Sequence, residues 1–413
     1  MISVDEATRR VQATATPLPA ETVLLTQAAG RVLREAVYAD RPFPPFDRVT
    51  MDGIALRYEA TAAGQTQFVL ESTQFAGQPP AALRDAAAAV EIMTGAVLPP
   101  GTDAVVRYED LRIEELPDGR RLATVLAPPP AAGHNVHRQG SDQAAGALLL
   151  PAGTLLGPAE IAVAATVGAV TLAVARRPRV AVVSTGDELV DIADEPAPHQ
   201  IRRSNAYMLL AAVQQAGAEG QLFHFDDDPA ALAAGLPPLL TGYDAVLLSG
   251  GVSMGKADYL PQALQAAGAE QLFHQVQQRP GKPFWFGRHP GGAVVFALPG
   301  NPVSTFINYY RYAAPWLRAV QLPAPQFAPP APAVLAADVT FRPALTHFLL
   351  VSLRPDATGR LLATPERAHG SGDMASLLPS DGFVELPAER TEFRAGEVLP
   401  VWRFRNVTTR SDF

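Results

Sequence analysis

Four loops in this 413-residue chain gather residues suited to binding anions and hard cations. SGGVSMGKADY follows the apolar run YDAVLL and holds Ser249, Gly250, Gly251, Ser253, Lys256 and Asp258. Its glycines let backbone N–H groups approach a ligand; Lys256 suits a phosphate, and Asp258 suits a metal or an oriented water. STGDEL sets Asp187 and Glu188 directly after the run RVAVV, a carboxylate pair fit for a hard cation such as Mg2+. FHFDDDPAAL carries Asp226, Asp227 and Asp228; Asp228 before Pro229 reads as a helix cap, leaving Asp227 as the metal or proton-handling candidate. LPGNPVS, with Pro299 and Pro302, reads as a rigid corner whose backbone N–H groups can hold an anion.

Of the 33 basic residues, 31 are Arg and only Lys256 and Lys282 are Lys, both in Gly-containing loops, GGVSMGKADY and RPGKPF. A compact ammonium reaches a phosphate where a guanidinium fork overreaches, although two lysines also fall this close by chance. PPFDRVTMDGIAL puts Asp47 and Asp52 in a proline-stiffened loop, where Asp52-Gly53 alone is a turn signal. His134 and His137 stand three apart without a third ligand, which favours solvated side chains over a metal site. The chain contains no HExxH, Ser184, Ser249 and Ser304 lack a GxSxG elbow, and the SGGVSMGKADY loop has neither a Walker ending nor GxGxxG.

These loops need a scaffold. Between about 178 and 320, the runs RVAVVS, YDAVLLSG and AVVFALPG alternate with helix-length stretches, the pattern of a parallel sheet covered on both faces. Ligands in such sheets sit beyond the carboxyl ends of the strands, where STGDEL, SGGVSMGKAD and LPGNPVS fall. Helices are expected over Ser204 to Ala216, from a Ser-Asn cap, and over Pro229 to Leu240. Ser3 and Glu6 suggest a capping box, and helical spacing runs through Val4, Ala7 and Val11 and again through Leu25, Ala28 and Val32. Phe68 to Leu126 reads as a small β domain, Gly157 to about Val170 as a helix, residues 322–336 as a proline-rich extended linker, and the remainder as a final β-rich domain.

With 48% apolar and 18% charged residues, the chain has material for several cores. A net charge of −8 argues against gripping nucleic acid or anionic lipid through bulk charge. Zero cysteines exclude disulfides, zinc-thiolate sites, iron–sulfur clusters and cysteine nucleophiles, so any sulfur chemistry must come from a ligand. No signal segment or membrane span is read, and a cytoplasmic protein is expected.

Taken together, TMDGIA, EIMTGAVLP, DAVVRYED, RQGSD, VSTGDEL, SGGVSMGKADY, RPGKPFWFG and LPGNPVSTF occur in the order found in molybdopterin molybdenumtransferases. The chain thus resembles the MoeA proteins, relatives of the gephyrin E domain, over nearly all its length. The resemblance implies an enzyme that inserts molybdate at the dithiolene of adenylated molybdopterin and releases AMP, with Mg2+ assisting. It implies catalytic roles for Asp52, Thr94, Asp142, Glu188, Asp227 and Asp258. It implies substrate contacts by Ser249, Gly250, Gly251, Ser253, Lys256, Arg279, Lys282, Pro299, Pro302, Arg342 and Ser371. The Mg2+ candidates are Asp187, Glu188 and Asp227.

The implied architecture is multidomain. A helical/mixed N-terminal domain (1–40 with 140–177) carries an inserted, protruding β domain (41–139). A three-layer, MogA-like α/β domain (178–321) follows, then the linker (322–336) and a C-terminal β-barrel-like domain (337–413). A homodimer is implied, with the molybdopterin adenylyltransferase as pathway partner and molybdoenzymes or cofactor-accepting chaperones downstream. Departures are Ile54 where the family usually has Tyr, Arg279 where it has Lys, Ser141 where it has an acidic residue, and His137 near a common Arg. Competing readings are the adenylyltransferase step itself, a scaffold, and a paralogue that uses tungstate.

Overall fold

The computed structural model describes residues 1–251, 259–367 and 370–405. The chain forms two compact units: Met1–Val23, Ala28–Arg34 and Ala173–Phe413 in the larger, Leu24–Gln27 and Glu35–Leu172 in the smaller.

In the larger unit, apolar runs form a six-stranded sheet in the order Glu219–Phe225, Arg179–Thr185, Ala245–Ser249, Val294–Leu298, Trp285–Arg288, Glu270–His274. The first three pairings are parallel and the last two antiparallel. Because side chains alternate, one face contributes Val180, Val182, Leu247 and Phe296 to a core with Leu209, Val213, Tyr312 and Trp316. The other contributes Ala181, Val183, Val246 and Leu248 to a core with Leu232, Leu236 and Leu264. Burial on both faces explains strands that are continuously rather than alternately apolar. Asp228 accepts from Ala231 N at 2.8 Å and caps Pro229–Gly242 as expected. The helix Ser204–Gln215 instead starts after Arg203 with no side-chain cap.

The C-terminal part of this unit is a closed five-stranded barrel: Thr346–Pro355, Leu361–Pro365, Ala331–Leu335, Val398–Arg403 and Gly382–Leu386, which returns to Thr346–Pro355. Val351, Leu353, Ala363, Val384, Leu386 and Val401 fill it. Ala331–Leu335 belongs to the barrel although it falls inside the stretch read as linker. Pro332 is tolerated there opposite Pro400, neither having an N–H to offer the ladder.

Near the N-terminus, Val4–Gln12 is a helix whose Ser3 hydroxyl accepts from Glu6 N at 3.2 Å. The Glu6 carboxylate pairs with Arg9 and Arg10 rather than closing the box. The second expected helix does not form: Ala20–Leu24 is a strand and Leu25–Gln27 a single 3-10 turn. Gly30 at φ 75 interrupts the spacing that Leu25, Ala28 and Val32 suggested.

The smaller unit holds a six-stranded sheet in the order Ala104–Arg107, Gly53–Leu56, Ala89–Ile92, Gln67–Gln74, Arg121–Val125, Leu111–Glu115. Ile54, Leu56, Phe68, Ala89, Val106 and Ala123 form its core. Ile54, one of the departures from the family pattern, is a fully buried member of that core.

Candidate functional site

In the larger unit, a cavity of about 830 Å³ opens where the parallel strands end. Thr185 and Glu188 follow the strand Arg179–Thr185, Asp227 follows Glu219–Phe225, Gly250 and Gly251 follow Ala245–Ser249, and Pro299 to Asn301 follow Val294–Leu298. The opposite wall includes Arg279, Lys282, His347, Glu366 and Ser371. Gly250 is required at its place: its φ is +103, and a Cβ would stand 2.9 Å from Thr185 O. The Thr185 hydroxyl is buried and has no hydrogen-bond partner among the described residues, leaving it available to a ligand.

The RPGKP loop presents Arg279 and Lys282, both exposed and without a carboxylate partner among the described residues. Its posture is set from beneath by a buried polar network. Gln278, wholly buried, donates to Gly281 O at 3.1 Å and to Asn308 Oδ1 at 2.5 Å, and accepts from the Tyr312 hydroxyl at 2.6 Å. Asn308 donates to Gly281 O at 3.2 Å. The barrel holds the other side: Gln278–Arg279 pairs in parallel with Thr346–Pro355, placing Arg279 beside His347. His347 Nδ1–H donates to Arg279 O at 3.1 Å, and its ring stacks on Phe341 with centroids 4.1 Å apart. Burial holds the imidazole below the usual histidine range, so it is neutral near pH 7.

Glu366 lines the cavity with these cations, and two further carboxylates come from the acidic strand-end loops. Glu188 and Asp227 line the cavity. Asp187 does not: its Oδ1 accepts from Asp227 N at 2.9 Å and ties the two acidic loops together. No cluster of three metal-ligating side chains occurs among the described residues. Mg2+ typically takes one or two protein carboxylates and completes its shell with water and substrate phosphate, and Glu188 with Asp227 fits that donor set.

The other expected residues fall into three groups. Ser371 lines the cavity, accepting from Asn301 Nδ2 at 2.8 Å. Ser249 lies buried at its strand end, Pro302 begins the helix Pro302–Asn308, and Arg342 is exposed; none of the three is part of the lining. Ser253, Lys256 and Asp258 lie outside the described residues.

The remaining three expected residues belong to the smaller unit. Asp52 Oδ1 accepts from Thr94 N at 2.6 Å, and this bond holds the Asp52 carboxyl below the usual carboxylate range. The next residue, Gly53, lets its strand lie close against Ala104–Arg107, since a Cβ there would stand 1.9 Å from Val106 O. Tyr108 N donates to Asp52 O, and the Tyr108 hydroxyl donates to the buried Glu91 at 3.0 Å. Burial and Glu91 push that phenol up to about 12. Asp142 lies 2.7 Å from His137 Nε2, while His137 Nδ1 faces Arg48 at 3.1 Å. An arginine at that nitrogen suits hydrogen bonding and does not suit a metal.

Sequence reasoning missed Thr185, Gln278, Asn308, His347 and Glu366. Thr185 was within reach, since it stands in the STGDEL motif already singled out.

Residues 2–168 match the MoeA N-terminal region (domain I and II), residues 181–319 a probable molybdopterin binding domain, and residues 332–404 the MoeA C-terminal region (domain IV). The chain is 36% identical to the molybdopterin molybdenumtransferase of Synechocystis over 406 residues, 97% of this chain and 100% of that one. With the Bacillus subtilis molybdopterin molybdenumtransferase it shares 32% over 409 residues, 98% and 94% of the two chains. The crystal structure of the molybdopterin biosynthesis MoeA protein from Pyrococcus horikosii superposes with a TM-score of 0.83 at 31% identity, covering 98% of this chain and 100% of that one. These matches run through both compact units and the barrel, and the chain belongs to the MoeA family of molybdopterin molybdenumtransferases.

Proposed function

We propose that this enzyme of molybdenum cofactor biosynthesis inserts molybdate at the dithiolene of adenylated molybdopterin and releases AMP. The observation that supports this reading is the mixed-sign lining of the cavity: Arg279 and Lys282 together with Glu188, Asp227 and Glu366, glycine backbone, and a buried Thr185 hydroxyl with no partner among the described residues. A substrate carrying a phosphoanhydride and meeting a tetrahedral oxyanion needs donors and cations rather than a nucleophile. Cysteine is absent from the chain, and none is needed, since both thiolates belong to the pterin.

Arg279 and Lys282 bind the phosphate or oxyanion charge, and the Gly250 and Gly251 backbone lets the ligand approach closely. Glu188 and Asp227 would hold Mg2+, which when bound would neutralise phosphate oxygens and make AMP a better leaving group. Water completes the cleaved anhydride, and molybdate loses an oxygen as water when the two sulfurs take the metal. Lys256 and Asp258 complete the anion and carboxylate sets in this reading, and the further catalytic candidates are Asp52 and Thr94 of the β domain and Asp142 of the RQGSD loop. The enzyme acts as a cytoplasmic homodimer; no helix among the described residues is long and apolar enough to cross a membrane. Light scattering of an active sample that showed only monomer at micromolar protein would remove the dimer.

The deciding experiment incubates the protein with adenylated molybdopterin and Mg2+, with and without molybdate or tungstate, and follows AMP. Release that requires the oxyanion supports insertion. ATP consumption without any oxyanion would instead indicate the adenylyltransferase step.

A further inference from the structure

We propose that His137 is a positioning residue: a neutral imidazole in a single tautomer that links Arg48 to Asp142 and fixes the direction of the Asp142 carboxylate. This inference rests on the reading of Asp142 as a site residue.

The tautomer follows from donor and acceptor arithmetic. Val136–His137 pairs antiparallel with Arg48–Val49, which sets His137 directly opposite Arg48. A guanidinium only donates, so the ring nitrogen 3.1 Å from Arg48, Nδ1, must carry the lone pair. The ring proton therefore sits on Nε2 and is donated to Asp142 Oδ1 at 2.7 Å. That bond is the close restraint on the Asp142 side chain among the described residues; the Ser141 hydroxyl is 3.5 Å away. The backbone around it is already pinned, with Asp142 N donating to Phe43 O and Gly140 N to Pro44 O. The neighbouring charges are spent on each other, Asp47 taking Arg138 at 2.8 Å and Gln139 N at 2.8 Å. Among the described residues, the charged groups bonded to the His137 ring are one cation, Arg48, on one nitrogen and one anion, Asp142, on the other.

A second proton on the ring turns Nδ1 from acceptor into donor and sets two cations against each other. The Arg48 link then breaks, and the orientation of Asp142 becomes sensitive to acid in a way that an arginine at position 137 would not be.

The test measures AMP release from adenylated molybdopterin with Mg2+ and molybdate across pH for the wild type, H137A, H137Q and D142N, with thermal melts to establish folding. H137A is expected to lower kcat about tenfold, the order of one lost charge-assisted hydrogen bond. Glutamine keeps an acceptor and a donor but does not titrate. H137Q should therefore restore most of the lost rate and flatten the acid limb of the profile. A folded H137A with wild-type kcat and pH profile, beside an inactive D142N, would overturn the proposal and leave the reading of Asp142 standing. Wild-type turnover by D142N would overturn the reading of Asp142 itself. An H137Q profile with the wild-type acid limb would show that His137 does not set the pH response.

Discussion

Gly281 offers a quantitative test of how the loop bearing Arg279 and Lys282 is built. Its φ is +84, and an added Cβ would stand 2.7 Å from Asn308 Oδ1 and 2.8 Å from Asn308 Nδ2. Gly281→Ala therefore carries two costs. The left-handed backbone conformation costs an alanine about 1–2 kcal/mol. Pushing Asn308 aside breaks its bonds to Gly281 O and Gln278 in a wholly buried place, about 1–3 kcal/mol more. Gly359 separates the two costs. It has φ +82 and nothing within 4 Å of its would-be Cβ, so Gly359→Ala carries the backbone cost alone.

The three tryptophans, Trp285, Trp316 and Trp402, all lie in the larger unit, so urea unfolding followed by their fluorescence reports on it. The expected result is a loss of about 2–5 kcal/mol for Gly281→Ala and about 1–2 for Gly359→Ala, with the slope m unchanged. Placing both alanines in an Asn308→Ala background should remove the excess, since the clash partner is gone. Anion affinity should fall for Gly281→Ala alone, because Arg279 and Lys282 ride on the displaced loop. Equal midpoint shifts for the two variants would refute the argument that Asn308 holds this loop.

Four further outcomes follow from the same geometry. Lys282→Arg should weaken molybdate and adenylated-pterin binding by about tenfold or more, with Lys282→Ala as the charge-loss control; affinity equal to wild type for Arg would leave only charge at work. Glu188→Gln should abolish AMP release, whereas Asp187→Asn, which can still accept from Asp227 N, should lose far less; steady-state rates over a Mg2+ series distinguish them. Glu385 accepts from Arg311 at 2.9 Å and from Trp402 Nε1 at 2.9 Å within a largely buried pair, so Glu385→Ala should cost about 3–5 kcal/mol in urea unfolding. His347 is depressed by burial, so the unfolded chain takes its proton first as pH falls. Stability should decline between the ordinary histidine value and the lower folded one, and His347→Gln should flatten that decline in urea midpoints measured against pH.

What was legible in the sequence divides along a physical line. The parallel strands read as continuous apolar runs because both of their faces are buried, and their polar ends announced Glu188, Gly250, Gly251 and Pro299 as cavity residues, while Asp227 was announced by the DDDP run before its helix. Asp228 as a cap was equally local, needing only the Pro229 that follows it. Apolar spacing failed at Leu25, Ala28 and Val32, where the apolar period was right but Gly30 and the strand Ala20–Leu24 left no room for a helix. The antiparallel pair Glu270–His274 and Trp285–Arg288 and the strand Glu219–Phe225 were also passed over, since mixed polar residues such as Gln271 and Gln221 break their pattern.

The residues that no motif announced are those whose role depends on distant pairing. Gln278 and Asn308 are 30 positions apart and look like ordinary polar residues until both are found fully buried beneath Gly281. His347 lies 68 positions from Arg279, and only the parallel pairing of Gln278–Arg279 with the barrel strand sets them side by side. That pairing carries a structural consequence. The acidic loops follow strands of the α/β sheet, with Glu188 O also accepting from Ile201 N, whereas the loop bearing Arg279 and Lys282 is held by the helix that supplies Asn308 on one side and by the barrel on the other. An α/β domain without the barrel would keep Glu188 and Asp227 at its strand ends and lose the partner strand that sets the register of Arg279. The barrel is therefore part of the wall that carries Arg279 and Lys282, which gives a physical reason for the cavity to require the whole larger unit.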